Sequence, residues 1–159
     1  STFGFLSPSF LIIIFVYINY LNYLCSMKVS FDFDHTLSRK DIQAFAKQLV
    51  NEGHEVWIVT SRFSDEAAKE KKWHWIEGQN QKLFDVAQEC GIKKENIQFT
   101  CMESKSVFLK NKGFIFHIDD DDIELMDIFE SKDSCRAIHV DHFEWKETCQ
   151  TILKKSLEN

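Results

Sequence analysis

The stretch that decides the fold is VSFDFDHTLS, residues 29 to 38. Val29, Ser30, Phe31 and Phe33 read as a short buried strand, because β-prone and mostly apolar residues cluster there. Strand side chains repeat every two residues, which sets Asp32 and Asp34 on one side of the chain at the strand's carboxyl end. Two carboxylates that close repel one another, and burial makes the repulsion worse. A folding requirement alone does not call for such a pair, so a partner must hold them.

Outward from this stretch, strands and helices alternate. Ser38 and Asp41 form a variant of the capping box, followed by Ile42, Phe45, Ala46 and Leu49 at helical spacing, with Gly53 to end the helix. EVWIVT (55–60) is a second buried strand, and Ser64 before Asp65 and Glu66 opens another helix. Residues 80–90 are helical up to Gly91, NIQFT (96–100) is a third strand, and a short helix covers about Ser106 to Lys110. FIFHI (114–118) is a fourth strand, Ile123 to Glu130 a helix, CRAIHV (135–140) a fifth strand, and a final helix runs from near Asp141 to about Leu157. The alternation predicts an α/β fold: a Rossmann-like three-layer sandwich with a mostly parallel five-stranded sheet, in one domain over residues 28–159. Too few residues separate Asp34 from Thr60 for an inserted cap domain.

Residues 1–27 differ in kind. They contain no charged residue, and charge begins at Lys28. Such a segment reads as an extension lying upstream of the native protein, as a membrane anchor, or as a signal; Met27 stands immediately before the first strand. As an anchor it nears the roughly 20 apolar residues that a spanning helix needs. Lys28, Arg39 and Lys40 would then favour a cytoplasmic domain. No basic region precedes it and no small-residue cleavage site follows, which fits a secretory signal poorly.

With 159 residues, 44% hydrophobic and 28% charged, the chain can bury a core. A net charge of −6 speaks against a duplex-binding surface built on bulk positive potential. Five scattered cysteines, odd in number and without a CxxC pair, suit reduced thiols in a cytoplasmic protein. No zinc-ligand cluster of Cys and His is present, so zinc is not expected.

Ligands in such sheets bind at the carboxyl ends of the strands. Asp32 and Asp34 follow the first strand, Thr60 and Ser61 the second, and Asp119 and Asp120 the fourth; Lys105 follows the third. Gathered at one rim, they offer carboxylates, hydroxyls and an ammonium. Magnesium prefers oxygen ligands of this kind and would relieve the repulsion between the acids.

In this order the residues resemble the haloacid dehalogenase-like hydrolase superfamily, whose members are mostly magnesium-dependent phosphatases. The resemblance covers nearly all of the chain after Met27. The family's DxDxT motif corresponds to Asp32-Phe33-Asp34-His35-Thr36. Its strand-ending Thr or Ser corresponds to Thr60, its Lys to Lys105, and its paired acids to Asp119 and Asp120 in FIFHIDD. The resemblance implies that Asp32 is a nucleophile forming an aspartyl-phosphate and that Asp34 is a general acid and base. It implies that Thr60 and Lys105 hold the phosphoryl oxygens, with Ser61 an alternative to Thr60. Mg2+ would sit on Asp32, the backbone carbonyl of Asp34, and Asp119, with Asp120 ligating directly or from one layer out. His35 stands where the family often has Gly. Asp121 and Asp122 read as helix N-terminal residues.

The substrate implied is a phosphorylated small molecule, a nucleotide or a nucleic-acid terminus. Family members with little cap often take large or protruding phosphates. Trp73 and Trp75, on opposite sides of an expected helix, are one core and one surface aromatic, or a stacking platform with Lys71, Lys72 and Arg62 near the phosphate. Two other functions use a similar fold: a phospho-acceptor signalling domain and a catalytically silent interaction module. In the first, the phosphorylated Asp ends the third strand, not the first. The second has no need of the Asp32 and Asp34 pair.

Overall fold

Five runs of β-prone residues become five strands, and the segments between them wind into helices. The computed structural model describes residues 7–158. In chain order it contains α1 (Pro8–Leu24), β1 (Lys28–Phe31), α2 (Lys40–Asn51), β2 (Glu55–Thr60), α3 (Asp65–Glu70), α4 (Gln81–Cys90), β3 (Ile97–Phe99), α5 (Lys105–Leu109), β4 (Phe114–Asp119), α6 (Asp122–Glu130), β5 (Arg136–His139) and α7 (Trp145–Leu157). The strands form one sheet in the order β3-β2-β1-β4-β5, with every neighbouring pair parallel.

A parallel sheet needs cover on both faces. On one face Val29, Phe31, Val56, Ile58, Phe116 and Ile118 pack with apolar residues of α2, α4 and α7. Phe31 meets Phe45 and Phe116 edge-on, with ring centroids 6.4 Å apart in both cases. On the other face Val59 and Phe114 pack with Leu109 of α5 and Ile128 of α6. The result is the expected α/β, Rossmann-like three-layer sandwich. The segments between strands hold short helices and turns, and among the described residues none builds a separate cap.

One irregularity sets the register of the site. Lys28 pairs with Phe114 but Val29 pairs with Phe116, so β4 carries one extra residue, Ile115. Such a bulge reverses which face later side chains take. It leaves Ser30 opposite His117. Gly53 ends α2 as expected: with φ +88 its N–H donates to the Val50 carbonyl at 3.0 Å, and the His54 N–H reaches the Leu49 carbonyl at 3.0 Å. At Gly91 (φ +77), which ends α4, a Cβ would lie 3.1 Å from Val50 Cγ1, so this helix end also sits close against α2.

Four local expectations are corrected. Phe33 is not in β1, which ends at Phe31; the chain turns over residues 33–37, with the Leu37 amide donating to Asp32 O (3.0 Å) and the Ser38 amide to Phe33 O (2.9 Å). His35 takes φ +57 and ψ 2 in this turn, the left-handed geometry that favours Gly at such a position. Ser38 does not cap α2: it closes the preceding turn in right-handed helical geometry (φ −63, ψ −16), and Arg39, which binds Asp41 and Asp141, takes the extended position just before α2 starts at Lys40. Residues 141–144 form turns, and α7 begins only at Trp145. Trp73 and Trp75 do not share an α-helix: α3 ends at Glu70, and Trp75 sits in a single 3-10 turn over His74–Ile76 that Trp73 precedes. By contrast, Ser64 caps α3 through the Ala67 amide, and Asp121 caps α6 through the Ile123 amide at 2.8 Å.

Of the charge-free N-terminal segment, residues 1–6 lie outside the described residues. α1 is mostly apolar, and among the residues whose burial is described most of its side chains are exposed. Its 17 residues rise about 26 Å. Among the described residues no helix is long and apolar enough to cross a membrane.

Candidate active site

β1 and β4 are neighbours, yet the chain between them travels out to β3 and back. This reversal of strand order opens a crevice at the carboxyl edge, where ligands of such sheets bind. Asp32 and Asp119 face each other across it. The Asp32 amide donates to the Ile118 carbonyl at 2.8 Å, which extends the β1–β4 ladder by one residue and fixes the turn that follows.

Lys105, the first residue of α5, lies between the two acids. Its Nζ donates to Asp32 Oδ1 at 2.7 Å and to Asp119 Oδ2 at 2.6 Å. All three side chains are buried. Burial works against the ammonium, but Asp32 and Asp119 outweigh it and hold the Lys105 pKa above its ordinary value. The two carboxyls respond in opposite directions. Burial, and then the charge of Asp119, push Asp32 up to about 7 against the pull of Lys105. Burial opposes the charge of Asp119 too, but the hydrogen bond from His117 and the nearby Lys105 bring it down to about 2.

His117 and Ser30 complete a buried chain beneath the acids. His117 Nε2 lies 2.9 Å from Asp119 Oδ2, and His117 Nδ1 lies 2.8 Å from Ser30 Oγ. Burial pushes the His117 pKa down against the pull of Asp119, which favours the neutral ring. The tautomer that satisfies an ionised Asp119 carries its proton on Nε2 and accepts the Ser30 hydroxyl at Nδ1. Asp119 Oδ1 accepts the Asp121 amide at 3.0 Å. Asp119 is thus held at both oxygens.

Asp120 is half-buried, and its Oδ1 accepts the Thr36 hydroxyl at 3.3 Å. Asp32, Asp119 and Asp120 each offer a carboxylate oxygen, and these lie within 4.8 Å of one another. Three hard oxygen donors at that spacing, with only one ammonium among them, fit a divalent cation such as Mg2+. The Asp34 carboxylate is outside this cluster. It points to Arg62, whose Nε and Nη2 donate to its two oxygens at 2.8 and 2.7 Å.

At the end of β2, Thr60 is buried and its Oγ1 accepts the Arg62 amide at 3.3 Å. Ser61 instead donates to Glu124 Oε1 at 3.4 Å. Glu124 also accepts the backbone amide of Lys105 at 2.9 Å, tying the start of α5 to the first turn of α6. Of the residues predicted from sequence, Asp32, Lys105, Asp119 and Asp120 converge. Asp34 and Arg62 form a second pair at the rim, and Thr60 and Ser61 lie at the end of the adjoining strand.

No protein-family model matches the chain, and no curated protein matches it.

Sequence reasoning missed His117, Ser30 and Glu124. The first two left a signal: each is a polar residue inside a buried strand, two residues before an acid, and so on the same side of its strand as that acid. Glu124 left none, because an acid in the first turn of a helix is ordinary.

Beyond Arg62, residues 71–80 carry the aromatic loop. Trp73 packs edge-on against Phe63 (4.9 Å between centroids), and exposed Trp75 lies 5.5 Å from Trp73 at 33°. The two indoles are side by side, not on opposite faces. Lys71 Nζ lies 5.0 Å from the Trp73 ring. A cavity of about 390 Å³ runs under the loop between Asp65, Lys69, Trp73 and Ile76, and shares no lining residue with the carboxylate cluster.

Proposed function

We propose that the protein is a Mg2+-dependent phosphatase of the haloacid dehalogenase-like type, hydrolysing phosphate monoesters through an aspartyl-phosphate on Asp32. The observation that carries this proposal is the buried Lys105 ammonium shared between Asp32 and Asp119 at the switch point of the sheet. Phosphoryl transfer needs positioning and charge neutralisation more than covalent help from the protein, and this rim concentrates both.

In the first half-reaction an Asp32 carboxylate oxygen attacks phosphorus. A bond from Asp32 to phosphorus forms, the bond from phosphorus to the ester oxygen breaks, and Asp34 gives that oxygen its proton. In the second, a water oxygen attacks phosphorus and passes a proton to Asp34. The Asp32–phosphorus bond then breaks, the carboxylate is restored and inorganic phosphate leaves. Lys105 offsets the charge of the nucleophile, and the Thr60 hydroxyl donates to a phosphoryl oxygen. Mg2+, held by Asp32, Asp119 and Asp120, would supply the positive charge that draws Asp32 into its ionised, attacking form and screens the phosphoryl oxygens.

The test is release of phosphate from 4-nitrophenyl phosphate with and without Mg2+. Wild-type protein turns over only with the ion, and D32N loses about a thousandfold or more. A D32N protein that hydrolyses the ester at the wild-type rate refutes the proposal.

A further inference from the structure

We propose that Arg62 is a specificity-determining latch, selecting phosphate esters whose leaving group carries a second anion: a carboxylate or a further phosphoryl group. The inference rests on the phosphatase function proposed above and names its substrate class.

Arg62 grips Asp34 in a fork. Nε donates to Asp34 Oδ2 at 2.8 Å and Nη2 to Oδ1 at 2.7 Å, so both carboxylate oxygens are taken. An acid that protonates a leaving oxygen must carry its O–H toward that oxygen, whereas the closed fork takes a lone pair on each carboxylate oxygen and turns the carboxyl edge toward Arg62. Asp34 cannot do its part until Arg62 lets go. The guanidinium is held on two further sides, with Nη1 donating to the Gln79 carbonyl at 2.7 Å and Cζ lying 4.9 Å from the centroid of the Phe33 ring. The backbone of Arg62 is fixed as well, since its amide donates to Thr60 Oγ1 and its carbonyl accepts the Cys101 amide at 3.2 Å. The residue therefore stays at the rim while its side chain exchanges partners.

The exchange needs a ligand that competes with a carboxylate. The side chains of Asp34 and Arg62 are 48% and 26% exposed, so a ligand can reach both. A neutral leaving group offers nothing in return for the fork, and opening it then forfeits two charge-assisted hydrogen bonds. A leaving group with its own oxyanion replaces Asp34 on the guanidinium, whose planar donors match carboxylate and phosphate alike. Because Asp34 stands on the leaving-group side of phosphorus, Arg62 reads that side of the substrate and not the transferring phosphoryl group.

The experiment compares kcat/KM within matched pairs. Glycerol 3-phosphate against 3-phosphoglycerate tests a carboxylate; adenosine 5′-monophosphate against a 5′-phosphorylated adenosine dinucleotide tests a second phosphoryl group. Wild type prefers the second member in at least one pair by on the order of ten- to a hundredfold. In R62Q that ratio falls to near one. R62K, which keeps the charge and loses the fork, lies between. A wild-type ratio near one in both pairs, or an R62Q ratio equal to wild type, overturns the latch. A second readout does not depend on turnover: in D32N the Arg62 Nε–H resonance shifts on adding the ligands with a second anion and not on adding glycerol 3-phosphate. Equal responses overturn the latch. A wild type that hydrolyses neither these four esters nor 4-nitrophenyl phosphate overturns the phosphatase function and the latch with it, whereas turnover of the esters without selectivity overturns the latch alone.

Discussion

Replacing Lys105 by Met keeps a long flexible stem in the same space and removes the charge. The ammonium is the donor at 2.7 Å to Asp32 and 2.6 Å to Asp119, and all three groups are buried. Removing one partner of a buried ion pair leaves the other charge uncompensated and costs about 3–5 kcal/mol. For a chain of this size each kcal/mol lowers Tm by about 2–4 °C, so K105M should melt roughly 6–20 °C below wild type. The sign of the pH dependence follows from the carboxyls left behind. Without Lys105, Asp32 loses the one side chain that pulls it down and would sit further above its unfolded pKa of about 3.9, while Asp119 keeps its hydrogen bond from His117 but loses the pull of the ammonium. Groups so raised weaken the fold progressively as pH rises through that range and cost little below it. The deficit should therefore be largest near pH 8 and shrink toward pH 5. Urea and thermal melts followed by circular dichroism in EDTA, at both pH values, measure it. A K105M protein within 1 kcal/mol of wild type near pH 8, or a gap that widens on acidification, refutes the shared-ammonium account.

Three further outcomes follow from the same geometry. Asp32, raised from 3.8 to about 7 by burial and by Asp119, costs about 4 kcal/mol once ionised in the fold. D32N in EDTA should therefore be more stable than wild type above pH 7, with the difference fading toward pH 4, and urea melts that rank D32N below wild type near pH 8 contradict this. Burial pushes the Cys135 and Cys149 thiols up to about 12 and raises Cys90 as well. Brief iodoacetamide treatment of native protein should modify Cys25 and Cys101 alone by mass spectrometry, while denatured protein takes up five groups. Deleting residues 1–26 should shift Tm by no more than about 2 °C, since the buried core begins at Val29; a collapse of cooperative melting would show that α1 belongs to the domain.

The sheet was legible because parallel strands, buried on both faces, are written as short apolar runs, and EVWIVT and FIFHI are such runs. The acids were legible because an isolated carboxylate at the end of a buried strand has no packing purpose. What the sequence hid lies at turns and in partners. Phe33 looks like strand, but hydrogen bonds across the turn after Asp32 outweigh its propensity. Ser38 looks like a cap, yet the turn after Asp32 runs through it and moves the start of α2 on to Lys40, with Arg39 at the cap position. Nothing local announces that Arg62 would close on Asp34, because that contact joins two loops that meet only once β1 and β2 have paired. The two Trp residues were misplaced because helix geometry was assumed past Glu70, and a chain released from the helix can bring neighbours two apart side by side.

The β1–β4 pairing has a consequence for the order in which the protein assembles. Ser30 and His117 meet across 87 positions of chain, and closing so long a loop is slow compared with forming β1–β2. A nascent chain that has emerged only through β3 can pair β1, β2 and β3, but it has just one wall of the crevice. Asp32 is then on show without Asp119 to repel it or Lys105 to neutralise it. The cluster of Asp32, Asp119 and Asp120 is complete only with the fourth strand, so binding of the proposed cation would report completion of the sheet and not its beginning.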